Sequence, residues 1–344
     1  RGQFATVIYR FFNSQVEINL MATSDVHGQV YATDYTADYS ASGTHYQGLT
    51  RVATFVKQQR EAYENTFLVD CGDLVQGTPL TYYYAFNQPQ EDDPAMKALR
   101  MMGYDMFVPG NHEFNYGMTI LQRQLGYLTS DATETEHSVA VGCANYLDST
   151  KQDEGTTDWS TWNDYAPYQL YDYNGVTVAV MGIGNPNIPK WDVPANWEGI
   201  DFANVIETYK HYEQEMTEKA DLIVLASHSG IDSDAQSDFI RQLVSETNTI
   251  DLVFTGHEHR NGITQIANSD GNEIPVFSLS TKAAVVGQAI VTYDKIAGTY
   301  TVDAKNVPMF ARDENRKWQP LYEADPDLEA ALKPYETATW QDYM

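Results

Sequence analysis

Five short loops, each directly after an apolar segment, concentrate the residues of this chain that can bind a metal ion. Five of the eight His fall in four of these loops, and the remaining loop supplies a carboxylate. Because ligands of open α/β sheets bind in the crevice outside the carboxyl ends of the strands, the pattern predicts one shared site. The loops are 25–27, 72–73, 110–113, 228–230 and 256–259.

Apolar runs alternate with amphipathic stretches along the chain. Helical spacing of apolar residues predicts helices at 49–63, 94–102, 118–128, 202–220 and 234–247. Strands are predicted at 16–23, 67–70, 106–108, 139–144, 168–173, 176–182, 221–227, 251–255, 275–279, 284–293 and 300–307. Strand–helix alternation with a β-rich later part predicts a layered α/β fold with two packed sheets.

Charge narrows the range of partners. Lys and Arg total 21 against 48 Asp and Glu among 344 residues, so the net charge is −27. Such a surface repels nucleic-acid polymers and anionic membranes. No apolar run approaches the roughly 18 residues of a membrane span, so no membrane insertion is expected. A small phosphorylated substrate stays compatible, because bound divalent cations reverse the local field.

The donor types in the five loops predict the kind of metal site. Carboxylate, imidazole and amide oxygen together suit Mn, Fe, Co or Zn better than Mg or Ca. The predicted ligands are Asp25, His27, Asp73, Asn111, His228, His257 and His259. Seven ligands are too many for one tetrahedral ion, so we predict two divalent metal ions sharing a bridging carboxylate. Two such ions are suited to displacement at a phosphoryl group.

His112 adjoins a predicted ligand but is not needed to complete the coordination. A protonated imidazole beside a leaving group can donate a proton near neutral pH. We therefore predict that His112 is the catalytic acid.

The ordered motifs DxH, GD, GNHE, HSG and GHxH resemble those of the calcineurin-like metallophosphoesterase superfamily over residues 16–307. The resemblance implies a four-layer α/β/β/α sandwich of two packed mixed sheets. It also implies that Asp73 bridges the two metal ions and that His112 protonates the leaving oxygen. It assigns Asp25, His27 and His259 to one ion, and Asn111, His228 and His257 to the other.

Segments 72–80 and 110–117 resemble the branch of 5′-nucleotidases and cyclic-nucleotide phosphodiesterases. Plain 5′-nucleotidases usually carry Asp where this chain has Asn115, and the Asn form is similar to bacterial 2′,3′-cyclic-nucleotide 2′-phosphodiesterase/3′-nucleotidases. Segment 189–192 also looks like that group. Asn115 can orient His112 by a hydrogen bond, and we place both in the catalytic site, but Asn115 carries no charge to raise the pKa of His112.

Three functions remain open at this point. The resemblance favours a hydrolase of 2′,3′-cyclic nucleotides and 3′-nucleotides. The first alternative is the same chemistry on 5′-nucleotides, UDP-sugars or CoA-type pyrophosphates. The second is a non-catalytic surface binding module, against which the complete ligand set argues.

The resemblance also implies a domain order and a location. Residues 1–310 are predicted to form the catalytic domain, and residues 311–344 to begin a linker to an absent C-terminal nucleotide-binding domain of the same polypeptide. Such enzymes act in the periplasm, in the cell wall or on the cell surface. An extracellular location agrees with the acidity and with a first residue, Arg1, that is not Met.

Overall fold

A computed structural model describes residues 14–33, 35, 46–89, 92–231 and 239–344. The strands are β1 Gln15–Thr23, β2 Thr66–Asp70, β3 Met106–Phe107, β4 Ala140–Val141, β5 Tyr146–Asp148, β6 Tyr168–Tyr173, β7 Val176–Ile183, β8 Ile200–Phe202, β9 Leu222–Ser227, β10 Leu252–Thr255, β11 Asn261–Ala267, β12 Glu273–Leu279, β13 Val285–Asp294, β14 Thr299–Pro308, β15 Phe310–Arg312 and β16 Trp318–Pro320. The α-helices are α1 Leu49–Ala62, α2 Pro79–Phe86, α3 Pro94–Met102, α4 Met118–Leu128, α5 Ile188–Trp191, α6 Val205–Lys219, α7 Phe239–Glu246 and α8 Pro326–Asp342.

Two six-stranded mixed sheets form the centre of the molecule. The first has the order β14-β13-β1-β2-β3-β4 and the second the order β11-β12-β10-β9-β7-β6. In the first sheet β1 to β4 run parallel to one another and β13 is antiparallel to β1. In the second sheet β7, β9, β10 and β12 are parallel, while β6 and β11 are antiparallel edge strands.

Three buried apolar clusters separate four layers. Successive residues of a strand point to opposite faces of its sheet, so one strand can serve two clusters. On β7, Val178 and Val180 pack between the sheets, whereas Ala179 and Met181 pack against α6 and α7. On the first sheet, Met21 faces the layer of α1 to α4 and α8. The predicted four-layer α/β/β/α sandwich is thereby confirmed.

Several element boundaries differ from the predictions. The helix predicted at 202–220 begins at Val205, because the side chain of Asn204 caps it by accepting the backbone N–H groups of Ile206 and Glu207 at 2.8 and 3.1 Å. The strand predicted at 139–144 pairs only over Ala140–Val141. The helix predicted at 234–247 corresponds to α7, and residues 232–238 lie outside the described residues.

The segment after residue 310 packs onto the same domain. Helix α8 buries Leu328 and Leu332 in the cluster that α1 to α4 share. Asp325 caps this helix by accepting the Leu328 N–H at 2.9 Å, and its carboxylate pairs with Lys57 Nζ at 2.6 Å. The linker to a further domain stays a prediction. Among the described residues, none of the helices combines the length and apolarity needed to cross a membrane.

Candidate metal centre

The fold brings all five predicted loops to one place. Three of them follow the parallel strands β1, β2 and β3 of the first sheet, and two follow the parallel strands β9 and β10 of the second. Backbone hydrogen bonds join neighbouring loops, such as Asp25 N–H to the Gly72 carbonyl at 2.8 Å and His27 N–H to the Asp73 carbonyl at 2.9 Å. The site therefore lies where the carboxyl ends of both sheets meet.

Two groups of ligand atoms lie side by side and share Asp73. In the first group, one donor atom from each of Asp25, His27, Asp73 and His259 lies within 4.8 Å of the others. In the second group the same holds for Asp73, His228 and His257. Asn111 Oδ1 lies 2.9 Å from His257 Nδ1, beside the second group. All seven predicted ligands are thus brought together.

The histidine geometry fits a metal site. His27 Nδ1 and His228 Nδ1 donate to backbone carbonyls, those of Gln76 at 2.8 Å and Cys71 at 2.5 Å. Because a carbonyl only accepts, the Nε2 atom of each ring is the one left for a proton or a metal ion. His228 Nε2 is buried without a hydrogen bond, although Asp73 Oδ2 lies 3.0 Å away. Such an atom suits a divalent cation.

Electrostatics around Asp73 also fit a cation. Burial opposes ionisation of Asp73, yet the nearby imidazoles of His228, His112 and His27 lower the pKa of its carboxyl. Burial opposes protonation of His228, but Asp73 raises the pKa of that imidazole to about 10. Burial and the charge of His228 lower the pKa of His257 to about 4. Asp73 and His228 hence form a buried ion pair in which a metal ion can replace the proton.

Backbone conformation at the ligands is unusual. Asp25, His27, Asp73, His257 and His259 all have positive φ angles, between 49° and 74°. Non-glycine residues in this region cost about 1–3 kcal/mol each when strained, and they persist where the surrounding structure holds them. The surrounding fold thus holds these five residues in an unfavourable conformation that directs their side chains to the two groups of ligand atoms.

Two glycines allow the loops to approach. A Cβ atom at Gly110 would overlap the carboxylate of Asp73, and one at Gly256 would overlap the side chain of Ser24 and crowd Asp25. Ser24 Oγ in turn donates to Asp25 Oδ2 at 2.6 Å. Any side chain at either glycine therefore displaces a predicted ligand.

Glu113 is a site residue to which the sequence reasoning gave no role. Its carboxylate is fully buried and accepts four backbone N–H groups. Oε2 accepts from Asp73 at 2.9 Å and from Gly110 at 2.6 Å, and Oε1 accepts from Leu74 at 2.7 Å and Val75 at 3.3 Å. Glu113 ties the loop after β2 to the loop after β3, and so fixes Asp73. Its place in the GNHE motif was the only signal.

His112 lies at the open side of the site. Its side chain is 35% exposed, and its Nε2 is 3.9 Å from Asp73 Oδ2. Its Nδ1 lies 2.6 Å from Asn115 Oδ1, as the sequence predicted for an orienting partner.

Next to the predicted ligands, Trp191 stacks on His257 with ring centroids 5.2 Å apart and remains 47% exposed. This stacking is a packing contact, and part of the Trp191 ring is still accessible.

Comparison with known proteins extends these observations. The sequence profile of the calcineurin-like phosphoesterase family matches residues 18–261. The trifunctional nucleotide phosphoesterase protein YfkN of Bacillus subtilis is 31% identical over 320 residues, which cover 84% of this chain and 20% of that protein. The 2′,3′-cyclic-nucleotide 2′-phosphodiesterase/3′-nucleotidase of Haemophilus influenzae is 27% identical over 361 residues, or 95% of this chain and 50% of that protein. The chain thus spans half or less of the length of these relatives.

A solved structure agrees with the fold. The crystal structure of calcineurin-like phosphoesterase YfkN from Bacillus subtilis superimposes with a TM-score of 0.72 at 25% identity, covering 94% of this chain and 98% of that one. The family profile, over residues 18–261, includes all five loops.

Proposed function

This chain belongs to the calcineurin-like phosphoesterase family, and we propose that it hydrolyses nucleotide phosphoesters with two divalent metal ions. The observation that carries the proposal is the position of Asp73, whose carboxylate is common to both groups of ligand atoms. A carboxylate shared by two neighbouring sets of ligand atoms suits a pair of close cations. A site for a single structural ion would have no use for the second set.

Asp73 would serve both ions. Asp25, His27 and His259 would hold the first ion, and Asn111, His228 and His257 would hold the second. The donor set favours Mn, Fe, Zn or Co. Ions held there supply Lewis-acid activation of the phosphoester and of water.

His112 supplies the proton for the leaving oxygen. Because Asn115 Oδ1 can only accept, the proton on Nδ1 of His112 is directed to Asn115. The Nε2 atom then faces the site and is free to carry the transferable proton. Its partial exposure lets a substrate reach it, as a general acid requires.

The substrate class is a nucleotide, and we propose 2′,3′-cyclic nucleotides and 3′-nucleotides first. The support is the matching relative from Haemophilus influenzae, whose name states this activity, together with Asn115 in the loop after β3. The alternative is a 5′-nucleotide or UDP-sugar substrate, which is supported by the likeness to a putative 5′-nucleotidase from Staphylococcus aureus at a TM-score of 0.72 and 25% identity. We also propose a location outside the cytoplasm, with which the net charge of −27 is compatible.

Substrate profiling tests this proposal. The chain is stripped of metal, reloaded with Mn²⁺, and assayed on 2′,3′-cyclic AMP, 3′-AMP, 5′-AMP and UDP-glucose. We expect the highest kcat/KM on the first two substrates, and a loss of about 10²–10⁴-fold in His112→Gln. The exposed His137, which lies outside the five loops, provides the control variant His137→Gln, which should behave as the wild type. Preference for 5′-AMP would favour the alternative, and no hydrolysis of any of the four would contradict the proposal.

A further inference from the structure

A sixth loop reaches the candidate site, and none of the metal-binding motifs contains it. It follows β7 and comprises residues 188–197, beginning with the short helix α5. Two adjacent residues of this loop contact different parts of the site. Trp191 stacks on His257, while Asp192 binds Asn115, the partner of His112. This loop therefore links the predicted metal ligands to the predicted acid.

The side-chain carboxylate of Asp192 accepts three hydrogen bonds, which hold it in place. Its Oδ1 accepts from the Val193 N–H and from Asn196 Nδ2, both at 2.7 Å. Its Oδ2 accepts from Asn115 Nδ2 at 2.9 Å. An ionised carboxylate only accepts hydrogen bonds, so all three groups that face it must be donors. The amide of Asn115 is consequently forced to turn its NH₂ group toward Asp192.

The orientation of Asn115 decides the tautomer of His112. With the NH₂ group on Asp192, Oδ1 faces His112 Nδ1 at 2.6 Å, and Nδ1 must carry a hydrogen. The reversed amide would point an N–H donor at Nδ1 and repel a protonated imidazole. Asparagine alone has no strong preference between the two orientations, since its oxygen and nitrogen ends have nearly the same shape. The preference comes from Asp192.

We propose that Asp192 is a positioning residue that fixes the amide of Asn115 and, through it, sets His112 to present Nε2 to the leaving oxygen. The inference rests on the proposed function, because the role of His112 as acid belongs to that function. The negative charge that accompanies His112 and Asn115 is therefore supplied by Asp192, 77 positions away from Asn115 in sequence.

Two diaryl esters that differ only in the nitro groups of their rings separate the loss of positioning from a general loss of activity. Bis(p-nitrophenyl) phosphate releases a weakly basic phenolate that leaves without a proton, whereas diphenyl phosphate releases a more basic one that needs the acid. We expect Asp192→Ala to lower kcat on diphenyl phosphate by about tenfold, which is less than the loss expected when a general acid is removed completely. On the nitrophenyl ester we expect kcat to fall by less than about threefold. The isosteric Asp192→Asn keeps one acceptor and should fall between. Glu198→Gln, an exposed change in the next turn, should equal the wild type.

A second substitution should rescue the first. In Asn115→Asp both oxygens of residue 115 accept, so its carboxylate receives the His112 Nδ1–H in either orientation and no longer needs Asp192. The double variant Asn115→Asp/Asp192→Ala should regain diphenyl phosphate hydrolysis to within about threefold of the wild type, since neighbouring residues couple strongly. Asn115→Asp alone places two carboxylates in direct contact and should lose activity.

Nitrogen NMR of the zinc-loaded chain reports the tautomer without turnover. The His112 ring, assigned by difference from His112→Gln, should show a protonated Nδ1 in the wild type and in the double variant, but a mixture of tautomers in Asp192→Ala. Equal losses on both esters, absence of rescue, or an unchanged tautomer would overturn the inference. A wild type that hydrolyses neither ester and none of the four nucleotide substrates would refute the proposed function, and the NMR comparison alone would then decide the positioning.

Discussion

Replacing Glu113 by Gln changes one oxygen of a buried carboxylate into an NH₂ group and leaves its size unchanged. The four backbone N–H groups that Glu113 accepts come from two loops, with Gly110 on one and Asp73, Leu74 and Val75 on the other. A glutamine has one accepting oxygen, so at most two of these donors keep a partner. The NH₂ group then faces the other two donors directly.

The magnitude follows from the unpaired donors. In Glu113→Gln the remaining side-chain oxygen would turn to the shorter pair, Gly110 and Asp73, because those bonds are 2.6 and 2.9 Å long. The N–H groups of Leu74 and Val75 then stay buried without a partner, at a cost of about 1–3 kcal/mol each. We expect the free energy of unfolding to fall by about 2–6 kcal/mol in total. The loop after β2 should also shift, and Asp73 with it.

Two assays measure these effects. Urea denaturation gives the change in the free energy of unfolding, and calorimetric titration with Mn²⁺ gives the change in metal affinity, which we expect to weaken by about 10–100-fold. The matched control is Glu273→Gln, an exposed position on β12 that should change neither quantity. A Glu113→Gln protein that unfolds and binds Mn²⁺ like the wild type would show that this carboxylate does not hold the two loops together.

Three further outcomes follow from the structure. Burial raises the pKa of Asp251 to about 6, so the folded chain keeps a proton that the unfolded chain releases above about pH 4. As the pH rises from about 4 to 6, the free energy of unfolding should therefore fall by about 1–3 kcal/mol. Urea titrations at several pH values should show that Asp251→Asn lacks this fall. Gly256→Ala should displace Ser24 and Asp25 and reduce the Mn²⁺-dependent kcat more than about 100-fold. Near-normal turnover would contradict the close packing of Gly256 against these two side chains. When free metal is present at 100 times its Kd, removing it with EDTA should lower the free energy of unfolding by about 2.7 kcal/mol per site. Calorimetric scans that give the same Tm with and without EDTA would contradict this.

The grouping of the seven predicted ligands was predictable because each of their five loops follows an apolar strand. Local pattern is enough to place such loops, since parallel strands end on one edge of a sheet. The Asn174-Gly175 turn between β6 and β7 was predictable for a similar reason, as both residues have positive φ angles, 55° and 80°. Helix α2 was missed, because its aromatic run shows no helical contrast between polar and apolar positions.

The supporting residues were not predictable from local pattern. Glu113 binds backbone groups about 40 residues away, and Asp192 binds a side chain 77 residues away. Such contacts exist only after the sheets have formed, and no spacing rule encodes them. Asn115 itself brings no charge to His112, but the structure adds the Asp192 carboxylate directly behind it.

Metal stoichiometry measured together with turnover shows whether two ions share Asp73 and drive hydrolysis. The chain is loaded with Mn²⁺, its bound metal is counted by mass spectrometry, and hydrolysis of bis(p-nitrophenyl) phosphate is followed in the wild type and in Asp73→Asn. The account predicts two ions per chain and metal-dependent hydrolysis, with both reduced in Asp73→Asn because that carboxylate serves both ions. One ion or none in the wild type, or full hydrolysis by Asp73→Asn, would contradict it.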